Sequence, residues 1–202
     1  MRIIGGKFGG HRLKAPKGLD TRPTLDPHKE TLFNILDHSL NLEFGGVLDL
    51  FAGSGSLGFE SLSRGATVAV FVENSDAAID TIRENAISLK LQEDKDFFII
   101  AEKNLSKWKA ELAKLQKIDL QGQTFSHFFC DPPYGKNWGQ KAFEALNAPR
   151  ENTQLFSVEA LWIQEAAKED PLLVIKKFQN WSLKKIKEMG GTRIEFFHYI
   201  QG

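Results

Sequence analysis

The sequence holds a single cysteine, Cys130, among 202 residues. One thiol excludes an internal disulfide and a cysteine-based zinc cluster. Its place in the apolar run Phe128-Phe129-Cys130 reads as a buried structural thiol. No run of about 18 apolar residues occurs, so no membrane span is expected. The opening Met1-Arg2-Ile3-Ile4-Gly5-Gly6 is too short in apolar residues for a signal peptide, which gives the expectation of a cytoplasmic protein. His11, His28, His38, His127 and His198 show no ligand spacing with one another, and no metal is expected. Internal repeats and low-complexity segments are missing too.

Net charge is also lacking, because 26 basic side chains balance 26 acidic ones. Their distribution is uneven. Residues 1–29 hold seven basic side chains (Arg2, Lys7, Arg12, Lys14, Lys17, Arg22, Lys29) against Asp20 and Asp26, an excess that the remainder offsets. A basic arm on an acidic body suits contact with a polyanion, and a solvated surface hairpin is the other reading.

What is present fits one domain, long enough to bury a substantial core. Residues 1–24 suit a small β-hairpin, with Arg2-Ile3-Ile4 and Arg12-Leu13-Lys14 around glycine pairs. Asp26 offers a helix N-cap and Pro27 a first-turn position, and Leu32, Phe33, Leu36 and Leu40 follow at helical spacing. Beyond Gly45-Gly46 strands and helices alternate. The predicted strands are Val47–Phe51, Thr67–Glu73, Phe97–Ala101, Phe125–Cys130 and Leu161–Gln164. Helices are expected from about Gly58 to Arg64, along Ile79, Ile82, Ala86 and Leu89, along Leu105, Trp108, Leu112 and Leu115, and over Trp138–Leu146. The tail from Trp181 to Ile200 reads as an antiparallel pair. Such alternation predicts an α/β fold with a mostly parallel sheet between helices. The expected organisation is a basic hairpin and helix over 1–46 and a core over 47–202, in one compact domain.

Ligands of open α/β sheets bind beyond the carboxyl ends of the strands, and three clusters fall there. Gly53, Gly55 and Gly58 satisfy G-x-G-x-x-G between a strand and a helix. Glu73, twenty residues after Gly53 at the end of the second strand, is placed to accept hydrogen bonds from ribose hydroxyls. Both point to a nucleoside cofactor. Asp49, just before the loop, is an awkward neighbour for a pyrophosphate but suits a cofactor carrying an ammonium and a sulfonium. S-adenosylmethionine is therefore favoured over NAD.

Asp131-Pro132-Pro133-Tyr134, after the fourth strand, is the most specific signal in the chain. Two prolines fix φ and donate no N–H, so the turn is stiff and presents carbonyl oxygens. An exocyclic base amine is a poor nucleophile because its lone pair is delocalised into the ring. A carboxylate and a backbone carbonyl, both accepting from its N–H groups, draw the nitrogen toward tetrahedral geometry and aim the lone pair at a methyl group. Tyr134 supplies an aromatic face on which an extruded base stacks. Trp108 and Trp162 read as core residues, and Trp138 as structural, with a place at the substrate mouth as its alternative. A DNA adenine-N6 methyltransferase, a non-catalytic RNA-binding assembly factor and an NAD-dependent oxidoreductase are the competing functions.

Taken in order, these segments resemble the RsmD family of 16S ribosomal RNA guanine-N2 methyltransferases along nearly the whole length. The resemblance runs through Arg2-Ile3-Ile4-Gly5-Gly6, Thr21-Arg22-Pro23-Thr24, Glu30-Thr31-Leu32-Phe33-Asn34, the glycine loop and Asp131-Pro132-Pro133-Tyr134. It implies a Rossmann-like class I methyltransferase, with a seven-stranded, mostly parallel sheet whose last strand is antiparallel. It also implies S-adenosylmethionine as cofactor and a guanine of the assembling small ribosomal subunit as substrate. The catalytic candidates are Asp131, Pro132, Pro133 and Tyr134. The cofactor candidates are Thr24, Asp49, Phe51, Ala52, Gly53, Ser54, Gly55, Gly58, Glu73 and Asn74, and the RNA candidates Arg2, Lys7, Arg12 and Arg22. Two departures stand out. Asp26-Pro27-His28-Lys29-Glu30 replaces the usual Asp-Arg-x-Arg-Glu, and lysine cannot reproduce an arginine fork. Glu102-Lys103-Asn104 stands where the family carries an Asp-Ala-like pair near the adenine.

Overall fold

A computed structural model describes residues 1–16, 26–37, 45–101, 118, 120, 122, 124–134, 137–147, 156–175, 178, 180 and 181–200. The helix expected around Trp108 and the Glu102-Lys103-Asn104 stretch lie outside them, as do Thr24, Arg22 and Leu40. After the leader, the described elements are α1 (Asp26–Ile35), β1 (Gly46–Leu50), α2 (Ser56–Ser63), β2 (Val68–Glu73), α3 (Asp76–Ser88), β3 (Phe97–Ala101), β4 (Phe125–Cys130), α4 (Trp138–Leu146), β5 (Phe156–Ala167), β6 (Trp181–Met189) and β7 (Thr192–Tyr199).

The strands form one seven-stranded sheet in the order β3-β2-β1-β4-β5-β7-β6. The first five pair in parallel, and β7 runs antiparallel to both its neighbours. β1 and β4 are buried throughout, as strands covered on both faces must be. One face packs Ile3 and Leu13 of the leader with Phe33, Phe59, Phe71 and Phe129. The other packs Phe143 of α4 against Trp162, with ring centroids 5.0 Å apart. Trp162 and Cys130 are core residues, as expected.

β1 lies one residue earlier and β2 starts one residue later than in the sequence reading, and three elements differ by more. β5 extends to twelve residues rather than the four of Leu161–Gln164. Only its centre is covered on both faces; Ser157 and Glu159 fall in the irregular stretch between the Phe125–Phe156 and His127–Leu161 pairs with β4, and Glu165, Ala166 and Ala167 are held by pairing with β7. α2 starts at Ser56, so Gly58 lies in its first turn rather than ahead of it.

The leader is the third difference. It folds back as a hairpin would, with Ile3 donating to the His11 carbonyl and Gly10 to that of Ile3, both at 2.9 Å. Yet among the described residues its one bridge pair is Arg2 with Arg12, and a 3-10 turn, Gly6–Phe8, forms the tip. The reason is that its amides are committed elsewhere. Ile4 and Gly5 donate to Glu60 of α2 at 2.7 and 2.9 Å, and Phe8 to Ser63 Oγ at 2.8 Å. Gly6 lies so close that a β-carbon there would meet the Ser63 carbonyl oxygen at 1.9 Å. The leader is docked onto a helix more than paired with itself.

Candidate active site

Strand order reverses between β1 and β4, because the chain builds outward to β3 before crossing to β4. A crevice at the carboxyl ends of such neighbours is where open α/β sheets bind ligands. The loop after β1 and the turn after β4 flank it, since Leu50 and Cys130 are register partners. The two strongest sequence motifs therefore meet at one place.

The glycine loop is held from beneath and from the side. Asp49, only 2% exposed, accepts from the Gly58 N–H at 3.0 Å and so ties the first turn of α2 to β1. Burial raises its carboxyl well above the usual range, the Gly58 N–H opposes that, and the charges of Asp131 and Glu73 add to it. Glu73 Oε2 accepts from the Gly53 N–H at 2.7 Å, while Oε1 accepts from Asn74 and Ser75 at 2.7 and 2.9 Å. Ser75 in turn caps α3 by accepting from Ala78.

The three glycines have different reasons. A β-carbon at Gly58 would lie 2.3 Å from Phe71, and one at Gly55 2.7 Å from Phe59. Both residues admit two phenylalanine rings whose centroids are 4.8 Å apart. Gly53 differs, because a β-carbon there meets nothing within 4 Å while its φ is +55°. Phe51 also takes a positive φ, 61°, and Ala52 is buried with its N–H on the Val72 carbonyl at 3.1 Å. Ser54 is fixed by Asn85 of α3, whose amide donates to its carbonyl at 3.0 Å. Open space over Gly53, carboxylates at Asp49 and Glu73, and no basic side chain between residues 49 and 58 suit a nucleoside with a cationic tail.

Across the crevice Pro132 is buried, Asp131 is half-buried and Tyr134 is 46% exposed. The Tyr134 hydroxyl donates to Glu165 Oε1 at 3.4 Å. Burial raises the phenol, and the neighbouring Glu165 charge adds to the effect. Glu165 was not among the sequence candidates; the detectable signal was an acidic residue directly after the apolar run Leu161–Gln164. Trp138 opens α4 with the Lys141 ammonium 4.2 Å from its ring centroid.

Of the leader cations, Arg2 pairs with Asp26 at 3.5 Å. Lys7 lies over its neighbour Phe8, 4.8 Å from the ring centroid, and Arg12 is exposed. Among the described residues no group of three or more His, Cys, Asp or Glu could hold a metal ion. No described helix is long and apolar enough to cross a membrane.

The family model described as Conserved hypothetical protein 95 matches residues 1–198. Ribosomal RNA small subunit methyltransferase D of Haemophilus influenzae is 34% identical over 195 residues, 94% of this chain and 89% of that protein. The chain belongs to the RsmD family. The protein of the same name from Escherichia coli K12 is 32% identical over 190 residues, covering 94% of this chain and 85% of its own. The solved yhhF protein of Escherichia coli superposes with a TM-score of 0.74 at 30% identity, covering 99% of this chain and 98% of its own. With the sheet order above, this makes the fold a Rossmann-like class I methyltransferase.

The departure from the RsmD pattern at Lys29 has a structural explanation. Lys29 has no exposed surface, lies 3.4 Å from the equally buried Glu60 and donates to the Arg2 carbonyl at 2.5 Å. Desolvation lowers its ammonium and Glu60 works against that. Arg64 also reaches Glu60, at 2.9 Å. Lys29 thus anchors the leader. Its place on the stripe Lys29, Leu32, Phe33, Leu36 was the available clue, because an exposed lysine has no reason to fall there.

Proposed function

We propose that this protein transfers the methyl group of S-adenosylmethionine to the exocyclic N2 amine of a guanine in 16S ribosomal RNA, within the assembling small subunit in the cytoplasm. Methylation of ribosomal RNA, with S-adenosylmethionine as cofactor, accords with the names of the RsmD relatives. The observation that carries the finer reading is the position of Asp131-Pro132-Pro133-Tyr134 across the switch point from the glycine loop.

The cofactor supplies a methyl group on a sulfonium, which is electrophilic without activation and leaves as a neutral thioether. The chain's own residues do the rest. Glu73 with Asn74, Gly53 and the surrounding loop would hold the nucleoside end, and the cationic tail would favour the ionised form of Asp49 beneath, against the effect of its burial. Asp131 and a carbonyl of the proline turn accept from the base amine, so its lone pair points out of the ring plane. Tyr134 stacks the extruded base. Once methylated, the amine would give up one proton, to the Asp131 carboxylate or to water. Positioning of this kind is the main catalytic contribution, since misplacing a nucleophile by about 1 Å costs roughly a hundredfold.

The deciding experiment is single-turnover transfer of labelled methyl to small-subunit RNA, with nucleotide mapping of the product. Asp131→Ala is expected to keep its fold and most cofactor affinity while losing at least about a hundredfold in rate. Asp131→Asn loses less, because its amide oxygen still accepts. A wild-type rate in Asp131→Ala would sink the mechanism. Transfer to DNA adenine instead of RNA would replace the substrate, and binding without transfer to any nucleic acid would leave a scaffold.

A further inference from the structure

Glu165 has no role in the chemistry above, yet its surroundings are difficult to explain as packing. Cys130 and Gln164 are register partners on adjacent parallel strands. Asp131 therefore leaves the end of β4 level with Glu165, which lies two residues inside the end of β5. Glu165 is half-buried there, and one of its oxygens accepts from the Tyr134 hydroxyl. No cation among the described residues pairs with it, although Arg193 stands on β7 and Lys168 just past the end of β5. Arg193 is committed to Glu195 at 2.7 Å and to the carbonyls of Lys168 and Asp170, and Lys168 to Glu188 at 2.9 Å. Partial burial of a carboxylate without a counter-charge costs stability, and such a group in a cleft marks a functional position.

The chemistry of the base suggests what the free oxygen is for. An ionised carboxylate is acceptor-only, with about four acceptor sites on its two oxygens; Tyr134 occupies one. Guanine presents N1–H directly beside its 2-amine, so a base whose amine meets Asp131 turns a second donor toward the neighbouring strand β5. Adenine has an unprotonated acceptor nitrogen at that ring position. We propose that Glu165 is a specificity-determining residue that accepts from guanine N1–H while Tyr134 stacks the ring, selecting guanine against bases with an acceptor there. The proposal rests on the methyl-transfer reading above. It extends that reading by assigning base discrimination to a residue on a different strand from the catalytic turn. A site built to pair a donor leaves its own buried acceptor unpaired when the donor is missing, and rejects such analogues strongly.

The test uses the full chain and an RNA fragment carrying the mapped target nucleotide, made with either guanine or 2-aminopurine at that position. 2-Aminopurine keeps the amine but carries an acceptor at N1. Wild type is expected to methylate guanine faster than 2-aminopurine. Glu165→Gln, which turns an acceptor into a possible donor, should lose about 10- to 150-fold in kcat/KM on guanine, the range of one charge-assisted hydrogen bond. It should also narrow the gap between the two bases, with cofactor affinity unchanged and a melting midpoint that is not lowered. Tyr134→Phe keeps the ring and removes only the hydroxyl, so its loss should be smaller and should add to that of Glu165→Gln. Equal rates of wild type on both bases would overturn the proposal without any variant. An unchanged Glu165→Gln would overturn it too, as would a loss fully reproduced by Tyr134→Phe, which would reduce Glu165 to holding the tyrosine. If wild type methylates no guanine amine, the methyl-transfer reading fails instead, and product mapping reveals that before any variant is made.

Discussion

Lys29 and Glu60 meet at 3.4 Å with no exposed side-chain surface on either. The two ions persist in the interior because the carboxylate also accepts from Ile4, Gly5 and Arg64. Removing one partner of a buried pair strands the other. Glu60→Ala is expected to cost about 3–5 kcal/mol in chemical denaturation. Lys29→Met should cost distinctly less, because Glu60 keeps Arg64 and two amides. Equal losses would mean that those remaining contacts contribute nothing.

The Glu73 carboxylate accepts from three backbone amides and closes the glycine loop onto β2. Glu73→Ala should weaken S-adenosylmethionine binding by about 1.5–3 kcal/mol, the range for a hydrogen bond to a charged group. Calorimetric titration measures it. Unchanged affinity would remove Glu73 from the cofactor site.

His127 is fully buried on β4, and desolvation lowers its imidazole from 6.5 to about 3. The unfolded chain thus binds a proton between those values that the folded chain refuses. Stability from this group is complete above pH 6.5 and is lost as pH falls toward 3. The total is a few kcal/mol, at about 1.4 kcal/mol per pH unit. Melting midpoints across that range should fall for wild type and fall less for His127→Gln. Parallel curves would show that other groups govern the acid side.

The leader's exposed cations are expected to grip RNA phosphates. Lys7→Glu with Arg12→Glu should weaken RNA binding and spare cofactor affinity. Each lost phosphate contact lowers the log–log salt slope by about 0.7–0.9. A slope that does not change would place the RNA elsewhere.

The elements that came directly from sequence are those with an apolar period and clear punctuation. β3, β4 and α4 begin and end where Phe97, Phe125 and Trp138 said they would. The ends of β5 did not, because pairing with β7 extends the strand past Gln164 and an irregular register with β4 extends it back to Phe156, neither of which leaves an apolar pattern. In the site, Gly53, Glu73 and Asp131 were legible because motif spacing places them at strand ends. Glu60 and Glu165 were not, since their significance lies in contacts with Ile4 and Tyr134, which are distant in the chain. The need for glycine at 58 was legible as a motif, but its cause, the Phe71 ring, became visible only in three dimensions.

Helix α2 serves two masters. Its first turn is pinned by Asp49 at the cofactor loop, and its second half carries the Glu60 and Ser63 contacts on which the leader rests. Eight residues thus connect the two ends, so a strain applied at one has little length over which to dissipate. If RNA held by the leader alters the grip on the cofactor, reciprocity requires the cofactor to alter the grip on RNA by the same factor. Any such coupling would then run through one short helix that touches both sites.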